Sequence, residues 1–463
     1  MLTNLDFLRE GEPWPPVSER PRLERYEAHR KLFEGEHAEV YKGKLDRIAR
    51  VIGNFHDVVS FNVALNYQRL ISVKTADLLA GEPPEISADN DTDTKAVRDF
   101  LEAQNWDMTL YQAAIDISRY GDALLSVARD EEGAANITIK QPKTWFPVSS
   151  PSDVKAVLYH VVAWEEKVSE DRTLLRAQVH EPGQYTQRVF ELGRGALGRE
   201  IAVPVVVMTE TEGFAVFPLA GVITSDSLHG HDDYTQIDSI ISEMMVVTGN
   251  ISRILDKHAA PSMQGPGQVL VDDGAGGHKL PTGNYFIRNN EDEPPVAYIT
   301  WDGQLTAAFE HLRNLRESLY CLSEMGEAVL GSNLHQGVTT YKGLKLRMTG
   351  ALAKVRRIAA NISAPLKEAI SAAFSMDNGR GRIDPEELTI WWNDGIPDDP
   401  TEEMELMQIE NGGKPTMSHL RSIMLANKFN REQAEEELAD ILDDQARAMP
   451  AVQLPPGEED DTE

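Results

Sequence analysis

Two amphipathic stripes constrain this chain more tightly than any other feature. Ile237, Ile240, Ile241, Met244, Val247, Ile251, Ile254 and Leu255 recur at helical spacing, and Leu305, Phe309, Leu312, Leu315, Leu319, Leu322 and Val329 recur at near-heptad spacing. Each set falls on one face of a long helix. Unbroken from Leu305 to Leu330, the second helix would be roughly 38 Å long at 1.5 Å per residue. Helices of that kind draw their stability from packing of the apolar face, so both need neighbours along their length. Asp232 or Asp233 can cap the first, with Gln236 in a capping box if Asp233 is the cap, and Pro261 ends it. Between the two, residues 262–302 form an insert punctuated by Gly and Pro, with strand-like runs at Gln268–Val271 and Tyr285–Arg288.

The preceding chain changes period once. Helical pieces are expected around Arg20–Phe33 and Ala38–Val51. A stronger helix runs over Val63–Leu79, where Val63, Tyr67, Leu70, Ile71 and Leu78 share a face and Gly81, Pro83 and Pro84 stop the helix. Another, Trp106–Arg119, runs through Gly121 into a strand at Ala123–Ala128. From Asn136 to Leu219 the period is two. Strands are expected at Ile137–Lys140, Val154–Val168, Thr173–Val179, Tyr185–Glu191, Ile201–Val207 and Phe214–Phe217, forming an antiparallel sheet. The fold class is therefore α+β. After the second stripe come a loop at 331–340, a helix over Tyr341–Phe374 that Pro365 should kink, and a strand at Leu388–Trp392. Helices capped by Thr401 and Asn430 follow, and then an acidic tail, 449–463, expected to be disordered.

With 463 residues, 41% hydrophobic and 26% charged, the chain has the composition of a folded protein of several modules. Its 75 acidic and 45 basic residues give a net charge of −30. That excludes a general binder of duplex DNA or anionic membranes, which needs clustered cations. The charge is uneven. Asp384–Glu463 holds 22 acidic and 5 basic residues, a net −17, whereas no Asp or Glu occurs between Ala328 and Lys367. That acid-free block carries Lys342, Lys345, Arg347, Lys354, Arg356, Arg357 and Lys367. Either these cations pair with acids elsewhere in the chain or on a neighbouring subunit, or some of them face a polyanion. Arg356 and Arg357, deep in a long helix, fit ion pairs at a subunit interface better than nucleic-acid contacts.

Several chemistries are excluded. The single cysteine, Cys321, allows neither an intramolecular disulfide nor a Cys-based zinc site, and its place on the apolar side of a helix suits an inert core thiol. The nearest approach to a phosphate loop, Gly413-Lys414-Pro415, has Pro in place of the hydroxyl and Gln408 in place of the first glycine. HExxH and GxSxG are absent. His229 and His231 around Gly230 read as a solvated turn, and the acid pairs Asp272-Asp273 and Asp398-Asp399 as solvated loops. No catalytic residue, metal site or cofactor is expected. The longest apolar runs, Ile201–Met208 and Gly213–Ile223, fall far short of the roughly 20 residues that span a bilayer. The opening, Met1-Leu2-Thr3-Asn4, lacks the build of a secretory signal.

The order of these elements, and several motifs in that order, resemble tailed-bacteriophage portal proteins of the actinophage-like branch. Asn66–Ile86 (NYQRLISVKTADLLAGEPPEI) looks like the family's early helix ending in Gly-Glu/Asp-Pro-Pro, and Ile115–Val127 (IDISRYGDALLSV) like its helix–Gly–strand. Leu228–Tyr234 (LHGHDDY) looks like the His-Gly-x-Ser-Asp turn that opens the first stem helix, with Asp232 where serine is common. Ala259-Ala260-Pro261 resembles the end of that helix, and Ile390–Asp399 (IWWNDGIPDD) with Gly412–Ser418 the C-terminal region. The likeness spans roughly residues 60–445, and the order of the motifs is its specific part.

The resemblance implies a portal-type subunit. Residues 1–230 would form the wing, 231–261 and 303–330 the two stem helices, and 262–302 a small β-containing clip. Residues 331–340 would form a tunnel loop, 341–399 a kinked wing helix and strand, and 400–448 a helical crown. It further implies a non-enzymatic homo-oligomeric ring of twelve subunits in the virion, at one capsid vertex, assembled in the host cytoplasm. Its partners would be the major capsid protein, the terminase large subunit, a head-completion adaptor and double-stranded DNA passing non-specifically through the channel. DNA-channel candidates are then Asn333, His335, Gln336, Lys342, Lys345 and Arg347. Subunit-interface candidates are Ile240, Met244, Ile251, Leu312, Leu319, Arg356 and Arg357. The alternative is a cytosolic helical scaffold or adaptor without DNA contact, in which the basic block pairs with the acidic C-terminus.

Overall fold

A computed structural model describes residues 2–43, 64–130, 133–209, 211–259, 263–264, 271–272, 278–279, 297–298, 305–331, 341–377, 381–393, 395, 409, 417–427 and 431–448. The chain divides into two compact units, Met1–Gly395 and Ile396–Glu463.

The first unit begins with η-turns at Asp6–Leu8 and Val17–Glu19, helix α1 (Arg20–Glu34) and a single turn, α2 (His37–Val40). Helix α3 (Tyr67–Ala80) starts four residues later than Val63, because the Asn66 side chain caps it by accepting the Arg69 N–H. Strand β1 (Glu85–Ser87) and helix α4 (Asp91–Ala103) lie in a stretch with no predicted element; Asn90 caps α4 by accepting the Asp93 N–H. Helix α5 (Trp106–Tyr120) ends at Gly121 in the left-handed region and delivers the chain into β2 (Asp122–Arg129) and β3 (Ala135–Lys140).

The period-two region forms two sheets rather than one. Strand β10 (Val216–Ala220) leaves the others and pairs with β2, giving a three-stranded antiparallel sheet in the order β10-β2-β3. The larger sheet runs β4 (Trp145–Ser150), β5 (Asp153–Lys167), β6 (Thr173–Glu181), β7 (Gln184–Leu192) and β8 (Leu197–Glu200), with β9 (Val205–Met208) also paired to β7. Of the strand expected over Ile201–Val207, only β9 forms. Pro204 has no N–H for a ladder, and β9 begins only after it. One face of this sheet is sealed by Phe7, Leu8 and Trp14 over Phe146, Val161, Leu175 and Phe190.

The long helices also differ from expectation in extent. The first, α6, spans Asp238–Ala259, several residues after Asp232 and Asp233. Asp232 caps a tight turn instead, accepting the N–H of Tyr234 and of Thr235. Gln236 does not act in a capping box; it donates to the Leu322 carbonyl, 3.0 Å away. The second, α7, stops at Leu322 instead of running to Leu330. Glu324 and Gly326 take positive φ values of 59° and 64°, and a single turn, α8 (Gly326–Val329), follows. In the insert, Met263–Gln264 pairs antiparallel with Ala297–Tyr298, and Val271–Asp272 with His278–Lys279. Gln268–Leu270 and Tyr285–Arg288 lie outside the described residues.

The third helix is two segments, α9 (Tyr341–Arg347) and α10 (Thr349–Met376), parted at Met348; α10 continues through Pro365. Val355, Ile358, Ala359, Ile362, Leu366, Ala369, Ile370 and Ala373 give α10 an apolar face that packs on β10, β2, β3 and α3. This is the centre of the main core. The strand expected at Leu388–Trp392 is β11 (Thr389–Trp391), antiparallel to β1. Cys321 is exposed, against expectation. It lies two residues past the fully buried Leu319, about 200° round the helix from it. The second unit holds helices α11 (His419–Asn427) and α12 (Arg431–Ala448), packed on each other. The Thr401 and Asn430 caps and the 449–463 tail lie outside the described residues.

Candidate functional site

Three sequence motifs far apart in the chain meet at the root of the long helices. Asp122, the residue after the α5 C-cap, is 1% exposed. Its carboxylate accepts the Tyr26 hydroxyl at 2.5 Å, the Gly230 N–H at 2.7 Å and the His229 Nδ1–H at 2.8 Å. Three donors satisfy the buried charge, as a carboxylate out of water requires. Burial and the neighbouring Asp122 charge push the Tyr26 phenol well above its ordinary pKa. His229 also stands edge-on to Trp145, with centroids 4.9 Å apart. The His229–Gly230 segment is thus a packed joint, not a solvated turn.

A second hydrogen-bonded chain runs beside it. Tyr234, fully buried, meets the Ser72 hydroxyl of α3 at 2.7 Å, and Ser72 meets Ser118 of α5 at 3.0 Å. Ser118 donates to Asp233 Oδ2 at 2.6 Å, and Asp233 Oδ1 pairs with Lys354 Nζ of α10 at 2.8 Å. Lys354 in turn donates to the Ser323 carbonyl at the end of α7, 3.3 Å away. On the far side, Asp238 at the first turn of α6 accepts the Tyr41 hydroxyl. His29 of α1 donates to the Arg119 carbonyl at 2.7 Å and approaches Asp232 at 3.7 Å; burial holds its pKa below the ordinary value. Beside this root lies a cleft of about 560 Å³ lined by Arg25, His231, Thr235, Gln236 and Arg357 among others.

The acid-free block divides on inspection. Within the block, Lys354 pairs with Asp233, and Arg357 with both oxygens of Glu324 at 2.8 Å. Arg356 is exposed. Lys342, Lys345 and Arg347 sit on the single short helix α9, with Arg347 exposed and Lys345 half-buried. Asn333, His335 and Gln336 lie outside the described residues. Of the stripe residues, Met244, Ile251 and Leu319 are buried within the single chain, and Ile240 and Leu312 are half-buried. Among the described residues, the large exposed apolar side chains on these helices are Leu255, Phe309 and Leu322.

Sequence reasoning passed over Lys354 as an internal anchor and Asp122 and Tyr234 as the centres of the joint. The signal for Asp122 was there: an acidic residue directly after a helix-ending glycine, opening a buried strand. Among the described residues, no group of three or more His, Cys, Asp or Glu side chains is placed to hold a metal ion, and no helix is long and apolar enough to cross a membrane.

The chain is similar in structure to a chain of a solved particle described as "Virion of native gene transfer agent (GTA) particle", with 12% identity, a TM-score of 0.47, and coverage of 78% of this chain and 89% of that one. It is similar at 12% identity and a TM-score of 0.46 to a chain from "Neck of native GTA particle computed with C12 symmetry", with the same coverage. No curated protein matches it. Residues 19–181 match the family described as "Phage portal protein, SPP1 Gp6-like". That stretch contains the motifs of α3 and of the α5–β2 junction, and over it the resemblance to tailed-phage portal proteins is borne out.

Proposed function

We propose that the chain is the subunit of a portal-type ring at one vertex of a phage-like capsid, through which double-stranded DNA passes. The observation that carries this reading is the match of residues 19–181 to the portal family. The root of the long helices supports it, because the three motifs that resemble the family's form one buried joint. In this reading residues 1–230 are the wing, α6 and α7 the stem, 262–302 the clip, 331–340 the tunnel loop, and α11 and α12 part of the crown.

The physics of a conduit agrees with the charge. A net charge of −30 repels phosphates, so counterions stay with the DNA and no large release term holds it in place. Lys342, Lys345 and Arg347 on α9 would touch the DNA backbone without reading sequence, together with Asn333, His335 and Gln336. The clip would dock the terminase large subunit and later a head-completion adaptor. The wing would face the major capsid protein.

The test is the assembled mass of the purified chain by light scattering, with negative-stain images of the same peak. A ring of about a dozen copies with a central hole supports the reading. A monomer that stays monomeric alone and with capsid protein contradicts it, and favours a scaffold that binds proteins only.

A further inference from the structure

We propose that Lys354 is a coupling residue that fastens both long helices to α10, so that the root of α6, the end of α7 and α10 move as one body. The proposal stands on the single chain and does not depend on the ring reading.

Lys354 is 4% exposed, yet its ammonium reaches Asp233 and Ser323, 90 residues apart in sequence. It pairs with Asp233 Oδ1 at 2.8 Å, five residues before α6, and donates to the Ser323 carbonyl at 3.3 Å, one residue after α7. Asp233 is held in turn by Ser118, so the pair is anchored to α5 as well. Arg357, three residues on and hence on the same face of α10, grips Glu324 through both carboxylate oxygens. Gly350, one turn before Lys354, is where the same loop rests: a β-carbon there would lie 3.0 Å from the Glu324 carbonyl. Ser323 and Glu324 thus meet α10 at three successive levels. Gln236 holds it from the α6 side through the Leu322 carbonyl.

Helix α10 also transmits in the other direction. Met348 interrupts it from α9, but the Met348 N–H bonds to Leu344 and Lys345 and the Leu352 N–H to Met348, so the backbone ladder continues across the break. A displacement at α9 is therefore carried to the lysine that fixes both long-helix roots.

Hydrogen exchange followed by mass spectrometry on the full-length chain tests the coupling. In Lys354→Met, residues 233–240 and 319–330 are expected to exchange together, each about tenfold or more faster, while 145–192 of the larger sheet stay unchanged. Arg357→Gln is expected to loosen 319–330 alone. Exchange in both segments as in the parent chain, or a uniform rise that includes the sheet, overturns the proposal. If Lys354→Met does not fold, Asp233→Asn, which keeps size and removes the charge partner, is read in the same way.

Discussion

Gly121 and Gly230 cross with their backbones in contact: a β-carbon on either would stand 2.2 Å from the carbonyl oxygen of the other. Gly121 also has a φ of +87°, and the Gly230 N–H is bonded to Asp122. The two glycines allow the His229–Gly230 turn to lie against the α5–β2 junction, which places Asp232, Asp233 and Tyr234 at the root of α6. Gly121→Ala must push the two backbones apart, and is expected to cost more than about 2 kcal/mol. Gly195, whose φ is +78° but whose β-carbon would meet nothing within 4 Å, is the control for strain alone. Chemical denaturation of both variants checks this. Equal destabilisation of Gly195→Ala and Gly121→Ala would show that the close crossing adds nothing.

Acid should weaken the larger sheet through two histidines. His160 and His180 face each other across β5 and β6, and both are buried. His160 Nδ1 accepts the Trp145 indole N–H, and neither ring nitrogen of His180 has a hydrogen-bond partner among the described residues. Burial lowers the His160 pKa to about 4; burial and then the neighbouring His160 lower that of His180 to about 3. The folded state therefore holds neutral imidazoles, while the unfolded chain protonates near the ordinary value of about 6.5. Their stabilising effect is complete above that pH and is lost as pH falls from 6.5 toward 4 and 3. The loss is about 1.4 kcal/mol per pH unit for each group. Denaturant midpoints measured at pH 7.5 and pH 5 should differ less in His180→Leu than in the parent. An unchanged difference would refute the assignment.

Local rules read helices α3 and α5 and the strands β2, β3 and β5 to β7 from sequence to within a few residues. Caps such as Asn66 and Gly121, and strict alternation, decide those elements. The failures lie where a distant segment overrides the local pattern. The stripe from Leu305 to Val329 continues past Leu322, yet α7 stops there, where Lys354, Arg357 and Gln236 hold the following turn from α10 and the α6 root. Strand β10 reads like its neighbours but pairs with β2, a choice no local signal encodes. Of the site, the motifs were legible as a set, but not their convergence on Asp122 and Tyr234. The cation count of residues 328–367 was legible too, but not that Lys354 and Arg357 are taken up inside the chain.

The long helices divide their apolar residues between two tasks, and mutation should separate them. Met244 and Leu319 are 2% and 0% exposed, so Met244→Ala and Leu319→Ala are expected to destabilise the subunit itself by about 2–5 kcal/mol. Phe309 and Leu255 are 51% and 49% exposed. Phe309→Ser and Leu255→Ser should leave the unfolding midpoint of the monomer nearly unchanged and shift the assembled species toward smaller mass. Light scattering and denaturation on the same preparations give both readouts. Full-sized assemblies from both serine variants would show that these two exposed side chains do not hold subunits together.

Charge reversal on α9 addresses the channel directly. Lys342 and Lys345 are the lysines of the acid-free block nearest the loop at 331–340, and they lie on a helix separate from the Lys354 and Arg357 anchors. Lys342→Glu with Lys345→Glu changes the local charge by four per subunit, and by about twelve times that in a dodecamer. If these lysines meet the DNA backbone, the double variant should assemble rings of the parent mass but yield particles with less DNA, since repulsion at the narrowest point opposes entry. Raising the salt concentration should partly restore packaging, because it screens exposed charges over about 10 Å at 0.1 M. Lys342→Gln with Lys345→Gln should lie between the two. Normal DNA content in particles carrying the glutamate pair would move these lysines off the channel wall.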